Sequence, residues 1–272
     1  MNAILCPVDF TDTTRHTLEY ATVLAKSWSV PMYMINVPQY PLLVGDNPMP
    51  LSVLKETEID SLNNLQATQK QLSAQYTYDN IKTSLEYGGI TDAVDTKAHT
   101  INASLIVVNG AGANPDEQFT WEGMTDSIIH HTAYPVLCVP AAAPMNPPAR
   151  IVFATDFNKD DMSCFEHLMS LAGACNAYIE IVHVKHNDDA AVDAFKQRIE
   201  SLEAVAKVTF QELEGTNIEN TLEEYTLGMP GSWLAVNRRY HTIFTRLFDR
   251  SLSNRLLHQT NIPVLIYNKH TK

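Results

Sequence analysis

The sequence predicts an α/β protein made of two successive repeats, each a five-stranded parallel sheet with helices on both faces. The first observation is that apolar runs of strand length alternate with segments of helical period, an order that gives a parallel sheet covered by helices. The second is that landmarks of the first half return in the same order in the second half. The length of 272 residues suits two ordinary domains.

Three pairs of matching landmarks define the repeat. Asp9 and Asp156, at the first strands, are 147 residues apart, and so are Val37 and Val184 at the second strands. Pro135 and Pro263, at the last strands, are 128 residues apart. The first repeat is therefore 19 residues longer, and the proline-rich residues 38–57 are the expected place for the extra length. We predict a long surface loop there, or a lid or partner-docking segment. The predicted domains are repeat 1 (1–144), a linker (145–149) and repeat 2 (150–272).

The elements follow from period and composition. In the first repeat we predict strands at 2–7, 32–37, near 81–87, at 104–109 and at 134–140. We predict helices in this repeat at 12–28, about 55–75, near 90–100 and before the last strand. In the second repeat we predict strands at 150–157, 178–184, 206–213, 232–237 and 262–267. The helices predicted there include about 188–205 and 217–227. Ligands of such sheets bind beyond the carboxyl ends of the strands, at the switch point. Asp9 and Asn109 are expected there in repeat 1, and Asp156 and Asn237 in repeat 2.

Composition disfavours several kinds of partner. The 19 basic and 31 acidic residues give a net charge of −12, which repels nucleic acid, and residues 1–140 alone carry −9. No apolar run has the length of a membrane span, and the N-terminus lacks the basic region of a signal peptide. The four cysteines have no paired spacing, which is typical of reduced thiols, and Cys6 and Cys138 are expected to pack in neighbouring core strands. We therefore expect a cytoplasmic protein without nucleic-acid or membrane partners.

These features resemble the universal stress protein family. The resemblance is carried by CPVDF in the first strand, INV in the second and residues 107–140, and again by FATDF, IVHV and residues 235–267. It covers nearly the whole chain. It implies a tandem member with two Rossmann-like repeats of the adenine nucleotide alpha hydrolase-like type. It also implies that the repeats pack as an intramolecular pseudo-dimer through their last strands.

Members of this family that bind ATP share a glycine pattern: Gly, two residues, Gly, nine residues, then Gly-Ser or Gly-Thr. Glycine lets the backbone approach the phosphates, and the last pair opens a helix. In repeat 1 these positions hold Asn109, Gly112, Glu122 and Gly123, so a carboxylate stands where phosphates would lie. A shift of one residue would restore Gly123, with Thr125 as a nearby hydroxyl. The resemblance implies that the first-strand Asp meets the ribose and that the Val region holds the adenine, which gives the candidate residues Pro7, Val8, Asp9, Val37, Asn109, Gly112, Gly123 and Thr125.

In repeat 2 no glycine of the pattern is retained. The matching positions hold Asn237, Tyr240, Arg250 and Ser251. Arginines crowd this stretch against one acid, Asp249, at positions Arg238, Arg239, Arg246, Arg250 and Arg255. Their guanidinium groups could bind an anion, with a candidate site of Asp156, Arg238, Arg239, Arg250 and Ser251. A solvated helix face, or pairing with the acidic first repeat, explains the same charges.

Three hypotheses for function follow. The first is a non-catalytic binding or regulatory module of the stress response with a degenerate nucleotide site, which acts through protein partners not identified by the sequence. The second is an adenine-nucleotide sensor or slow ATPase that binds ATP or AMP, with Mg²⁺, in repeat 1. The third is the anion site of repeat 2. No P-loop, GxSxG, HExxH or CxxC motif supports catalysis, and His183 and His186 are interpreted as polar loop residues, not metal ligands. Whether the chain forms a homodimer is left open.

Overall fold

The structure is a computed structural model that describes residues 1–38, 40, 51–110, 121–157, 161–184, 199, 207–215, 218–238 and 262–268. Its strands are β1 Ile4–Pro7, β2 Met32–Asn36, β3 Ile81–Leu85, β4 Leu105–Asn109, β5 Val136–Val139, β6 Arg150–Ala154, β7 Tyr178–Val184, β8 Val208–Leu213, β9 Ser232–Arg238 and β10 Val264–Asn268. Its helices are α1 Asp12–Trp28, α2 Leu51–Tyr76, α3 Ile90–Thr100, α4 Trp121–His131, α5 Asp161–Cys175 and α6 Ile218–Leu227. The predicted α/β fold is confirmed.

The ten strands form one sheet in the order β3-β2-β1-β4-β5-β10-β9-β6-β7-β8. Each half therefore has the same internal order, with its first strand beside its second and fourth. All pairs are parallel except β5 and β10, which pair antiparallel with Val264 opposite Cys138. The side-chain amide of Asn268 in β10 also donates to the carbonyls of Ile129 and Thr132 at the end of α4, at 2.8 Å each. The last strands of the two halves are thus joined directly.

Helices cover both faces of the sheet, and each face has its own apolar core. One core contains residues of α1, α2 and α5, and the other contains residues of α3, α4 and α6. Cys6 belongs to the first core and Cys138 to the second. The prediction that these cysteines lie in neighbouring strands is wrong, because β4 pairs between β1 and β5. Burial raises the pKa of the Cys138 thiol to about 12 and that of Cys6 further still, so both are packing residues.

The two halves also meet through the face that carries α1 and α5. Trp28, at the end of α1, packs edge-on against Trp233 of β9, with ring centroids 6.5 Å apart. The Trp233 indole donates to the Tyr20 hydroxyl at 2.7 Å, and the Trp28 indole donates to the Cys175 sulfur at 3.0 Å. We call these four residues the seam. Trp28 and Cys175 are 147 residues apart, so equivalent helix ends of the two repeats contact each other.

Helix α2 begins earlier than predicted. Residues 38–57 were expected to form an insertion loop, but α2 starts at Leu51, so residues 51–57 are helical. The last proline of the segment is at position 50, and no residue after it opposes a helix. Residues 39 and 41–50, and the predicted helix 188–205 apart from residue 199, lie outside the described residues. None of the described helices combines the length and apolar character that crossing a membrane requires.

Candidate functional site

The Asp-Phe pair after the first strand forms a tight turn in both repeats. Phe10 has φ +63° and Phe157, its counterpart, has φ +59°. The left-handed region costs a residue other than glycine about 1–2 kcal/mol. Packing offsets this cost, because Phe157 is 7% exposed and Phe10 packs against the core that contains α1. In repeat 1 the turn leads from β1 into α1 and places Asp9 at the carboxyl edge of the sheet.

The Asp9 carboxylate is held by one of its two oxygens. Its Oδ1 accepts hydrogen bonds from the Thr11 backbone N–H at 3.0 Å, from the Thr11 hydroxyl at 2.8 Å and from the Thr14 hydroxyl. Its Oδ2 is buried and, among the described residues, has no hydrogen-bond partner. A buried polar atom without a partner is uncommon in folded proteins. The side chain is thus oriented by α1 while one acceptor remains available.

A second acceptor without a partner lies on the neighbouring strand. Asn36, the last residue of β2, is 7% exposed and donates from its side-chain amide to the Val8 carbonyl at 2.8 Å. Its Oδ1 is buried and has no partner among the described residues. The Val8 N–H in turn donates to the Ile35 carbonyl at 2.8 Å, and Val37 is buried directly after the strand. The structure therefore gathers Val8, Asp9 and Val37 at one edge, together with Pro7 at the end of β1.

The end of β4 forms the other side of this crevice. Asn109 ends β4, and Thr125 in α4 is buried with its hydroxyl 3.5 Å from the Asn109 carbonyl. A Cβ on Gly110 would lie 3.0 Å from the Pro140 nitrogen, so this glycine is required by close approach to the end of β5. Gly123 lies in the first turn of α4, and Gly112 falls outside the described residues. The described candidates of repeat 1 thus flank β1 and β4, where the strand order reverses.

Repeat 2 has an equivalent crevice, and there a side chain bridges its two sides. Asp161, in the first turn of α5, is 1% exposed. One oxygen of its carboxylate accepts from the Thr155 hydroxyl at 2.6 Å, and the other accepts from the Asn237 side-chain amide at 2.8 Å. Thr155 follows β6 and Asn237 lies in β9, so the carboxylate spans the two strands at the switch point. Asp156, predicted as a site residue, is exposed.

His183 is a strand residue. It lies in β7, and its Nδ1 is 2.9 Å from the Thr155 carbonyl. These residues stand 147 positions after Asn36 and Val8, so the two repeats build the same contact with different side chains. The interpretation of His183 as a loop residue is wrong, and His186 lies outside the described residues. In the part of the chain that the structure describes, no group of three or more His, Cys, Asp or Glu residues is placed to hold a metal ion.

The predicted anion site of repeat 2 stays a prediction. Arg238 ends β9, but its side chain is not described. Arg239, Arg250 and Ser251 lie outside the described residues.

Sequence reasoning missed three residues that shape the two crevices: Thr14, Asn36 and Asp161. Comparing residues 147 positions apart in the two repeats would point to these positions. Thr14 and Asp161 are 147 residues apart, so a neutral hydroxyl of repeat 1 is replaced by a carboxylate in repeat 2.

Comparison with known proteins agrees with this architecture. Residues 1–140 match the model of the universal stress protein family. A universal stress protein from Archaeoglobus fulgidus has a similar structure, with a TM-score of 0.74 at 18% identity over 98% of this chain and 96% of that one. The cytoplasmic domain of a prokaryotic cation chloride cotransporter gives 0.58 at 11% identity, over 100% and 97%. At these identities the similarities show the fold alone. A comparison with curated proteins gave no match.

The family model covers 140 of the 272 residues, just over half of the chain. The chain therefore belongs to the universal stress protein family.

Proposed function

We propose that this protein is a non-catalytic regulatory module of the stress response, in which repeat 1 binds a small ligand and repeat 2 has lost its site. Family membership supports the link to stress. The observation that carries the proposal is the buried Oδ2 of Asp9, which has no partner among the described residues and lies beside the switch point. The contrast with repeat 2, where Asp161 bridges the strands, supports the asymmetry.

The geometry of Asp9 favours a ligand that donates hydrogen bonds. Leaving a buried acceptor unpaired costs about 1–3 kcal/mol, which a donor from a ligand would recover. Three donors already fix Oδ1, so little side-chain freedom is lost when Oδ2 binds. The family resemblance assigns the first-strand Asp to the ribose of an adenine nucleotide, and ribose hydroxyls are such donors.

The bridge in repeat 2 supports the proposal that this crevice does not take the same kind of ligand, although Oδ1 of Asn237 is buried without a partner among the described residues. Both carboxylate oxygens of Asp161 are used within the protein, by Thr155 and Asn237. A ligand would have to break both contacts and leave a 1% exposed carboxylate without them. We propose that repeat 2 serves as a scaffold that completes the sheet, with the two repeats forming an intramolecular pseudo-dimer.

The alternative is an adenine-nucleotide sensor or slow ATPase in repeat 1 that uses ATP or AMP with Mg²⁺. It shares Asp9, and in the sequence Glu122 holds a position of the family's glycine pattern where the resemblance implies phosphates. Hydrolysis of ATP that depends on Asp9 would favour this alternative. Binding without turnover favours the regulatory module, which would act through a protein partner because the net charge of −12 disfavours nucleic acid.

The test is calorimetric titration of nucleotide-stripped protein with AMP and with ATP and Mg²⁺. Asp9→Asn keeps an Oδ1 acceptor for Thr11 and Thr14 but places an amide where Oδ2 was, so affinity should fall at least about tenfold. Asp156→Asn makes the same change at the equivalent position of repeat 2 and should bind as the unmodified protein does. Equal binding by the Asp9→Asn variant, or no binding by the unmodified protein, would contradict the proposal.

A further inference from the structure

Helix α2 is much longer than the part of it that packs tightly on the protein. Of its 26 residues, only Leu65 and Leu72 are buried. The Gln69 side-chain amide, which donates to the Ile81 carbonyl of β3 at 2.6 Å, also lies in the second half of the helix. Residues 51–64, about 21 Å of helix, are half-buried at most. The first half of α2 therefore offers a surface that the rest of the described chain leaves open.

This first half carries large apolar side chains that face water. Leu51 is 74% exposed, Ile59 is 58% exposed and Leu62 is 40% exposed. Their spacings of eight and three residues place them on one side of the helix, and we call them the α2 stripe. Single exposed apolar residues are ordinary, but neighbouring ones on one helix face are typical of an interaction surface.

The charges between these residues favour pairing with a second copy of the chain. Four positions follow each other at intervals of four, three and four residues, the spacing of core positions in a coiled coil: Leu51, Lys55, Glu58 and Leu62. In an antiparallel pair with its two-fold axis between residues 56 and 57, Leu51 lies opposite Leu62 of the partner subunit. Lys55 then lies opposite the partner's Glu58, and the two-fold axis repeats both contacts. A parallel pair would instead set each charge against its own copy.

The remaining acids of the segment do not disturb this arrangement. Glu56 and Asp60 lie on the other side of the helix from the α2 stripe, because each residue turns the helix by about 100°. Glu58 is held in place by the Tyr40 hydroxyl, which donates to its Oε1 at 3.1 Å, and Lys55 is exposed. The contact side of α2 therefore presents apolar groups at its ends and one charge of each sign between them.

From this self-complementary pattern we infer that the first half of α2 is a dimer interface, through which two copies of the chain associate as an antiparallel helix pair. Four layers of side chains bury less than the roughly 1,600 Å² of a standard interface, so the dimer should be weak and should depend on protein concentration. This inference goes beyond the proposed function and does not depend on a ligand in repeat 1.

Sedimentation velocity of the full chain, over a wide range of protein concentration, tests the interface. The sedimentation coefficient should rise from the value of a monomer toward that of a dimer. Leu62→Glu should weaken dimerisation at least about tenfold, because it places a carboxylate against the apolar end of the partner helix. Met145→Glu is the matched control, since Met145 is 37% exposed and lies between the two repeats, away from α2.

Exchange of the two central charges tests the antiparallel pairing. Lys55→Glu should weaken dimerisation, because each new carboxylate then faces the partner's Glu58. Adding Glu58→Lys to this variant should restore dimerisation, since opposite charges face each other again. Both positions are outside the core, and far-UV circular dichroism should show unchanged helix content in every variant.

Three results would overturn the inference. The first is a monomer at every concentration. The second is a dimer that Leu62→Glu weakens no more than Met145→Glu does, which would place the contact elsewhere. The third is failure of the double charge exchange to restore what Lys55→Glu weakens, which would contradict the antiparallel pair.

Discussion

Deleting the Tyr20 hydroxyl should destabilise the whole chain, because this group joins the two repeats at the seam. The hydroxyl accepts from the Trp233 indole at 2.7 Å, and the two residues are 1% and 0% exposed. In Tyr20→Phe the indole N–H keeps its burial and loses its acceptor, which costs about 1–3 kcal/mol of unfolding free energy. Urea unfolding followed by far-UV circular dichroism measures this loss, and a change in tryptophan emission would report the altered surroundings of Trp233.

Tyr76→Phe is the matched control for the same chemical change. The Tyr76 hydroxyl donates to Glu19 at 3.3 Å, and the side chain is only partly buried, so water can replace the lost contact. We expect a loss below about 0.5 kcal/mol. If Tyr20→Phe is no less stable than Tyr76→Phe, the argument that the seam stabilises both repeats is refuted.

Three further predictions follow from burial and close contact. Burial raises the pKa of Cys175 to about 11, so alkylation of the folded protein, followed by mass spectrometry, should be slow at pH 7 and should accelerate toward pH 11; fast labelling at pH 7 would contradict this. Gly110→Ala should cost about 1–3 kcal/mol in urea unfolding because its Cβ would lie 3.0 Å from the Pro140 nitrogen, whereas Gly173→Ala, with open space in α5, should be neutral or stabilising. Burial lowers the pKa of His167 from 6.5 to about 4, so the folded state binds this proton less well than the unfolded state does. The stability that neutral His167 contributes is present above pH 6.5 and is lost as the pH falls toward 4. His167→Gln should therefore flatten that part of the pH–stability curve.

The order of elements could be predicted because it depends on local patterns. Apolar runs and helical stripes are visible within one segment, and residues 178–184 were predicted as a strand with the bounds that β7 has. Strand order depends on contacts distant in sequence, which is why Cys6 and Cys138 were wrongly assigned to neighbouring strands. The predicted loop extends too far, to residue 57, because the 19-residue offset between the repeats gives the length of the insertion but not its conformation, and α2 starts at Leu51 within it.

The candidate site could be predicted in its backbone frame but not in its hydrogen bonds. The positions of Asp9, Val37 and Asn109 follow from strand ends, where a doubly wound sheet binds ligands. The geometry of the first helical turns decides which oxygen of Asp9 accepts hydrogen bonds. The same geometry lets Asp161 span two strands. A spacing in the sequence does not fix such side-chain directions, since they are set by tertiary packing.

Helix α1 connects the candidate site to the seam. It begins beside Asp9, with Thr14 bonded to that carboxylate, and it ends about 25 Å away at Trp28, which contacts Trp233 and Cys175. Helix α5 has the same plan in repeat 2, from Asp161 at the bridged crevice to Cys175 at the seam. A ligand that binds Asp9 in the folded state alone would stabilise the chain by mass action, and this stabilisation would extend to repeat 2 because the core on this face is shared. Under the proposed function, the bridge of Asp161 therefore has a purpose: it holds α5 in place without a ligand, so that the seam responds to occupancy of one site.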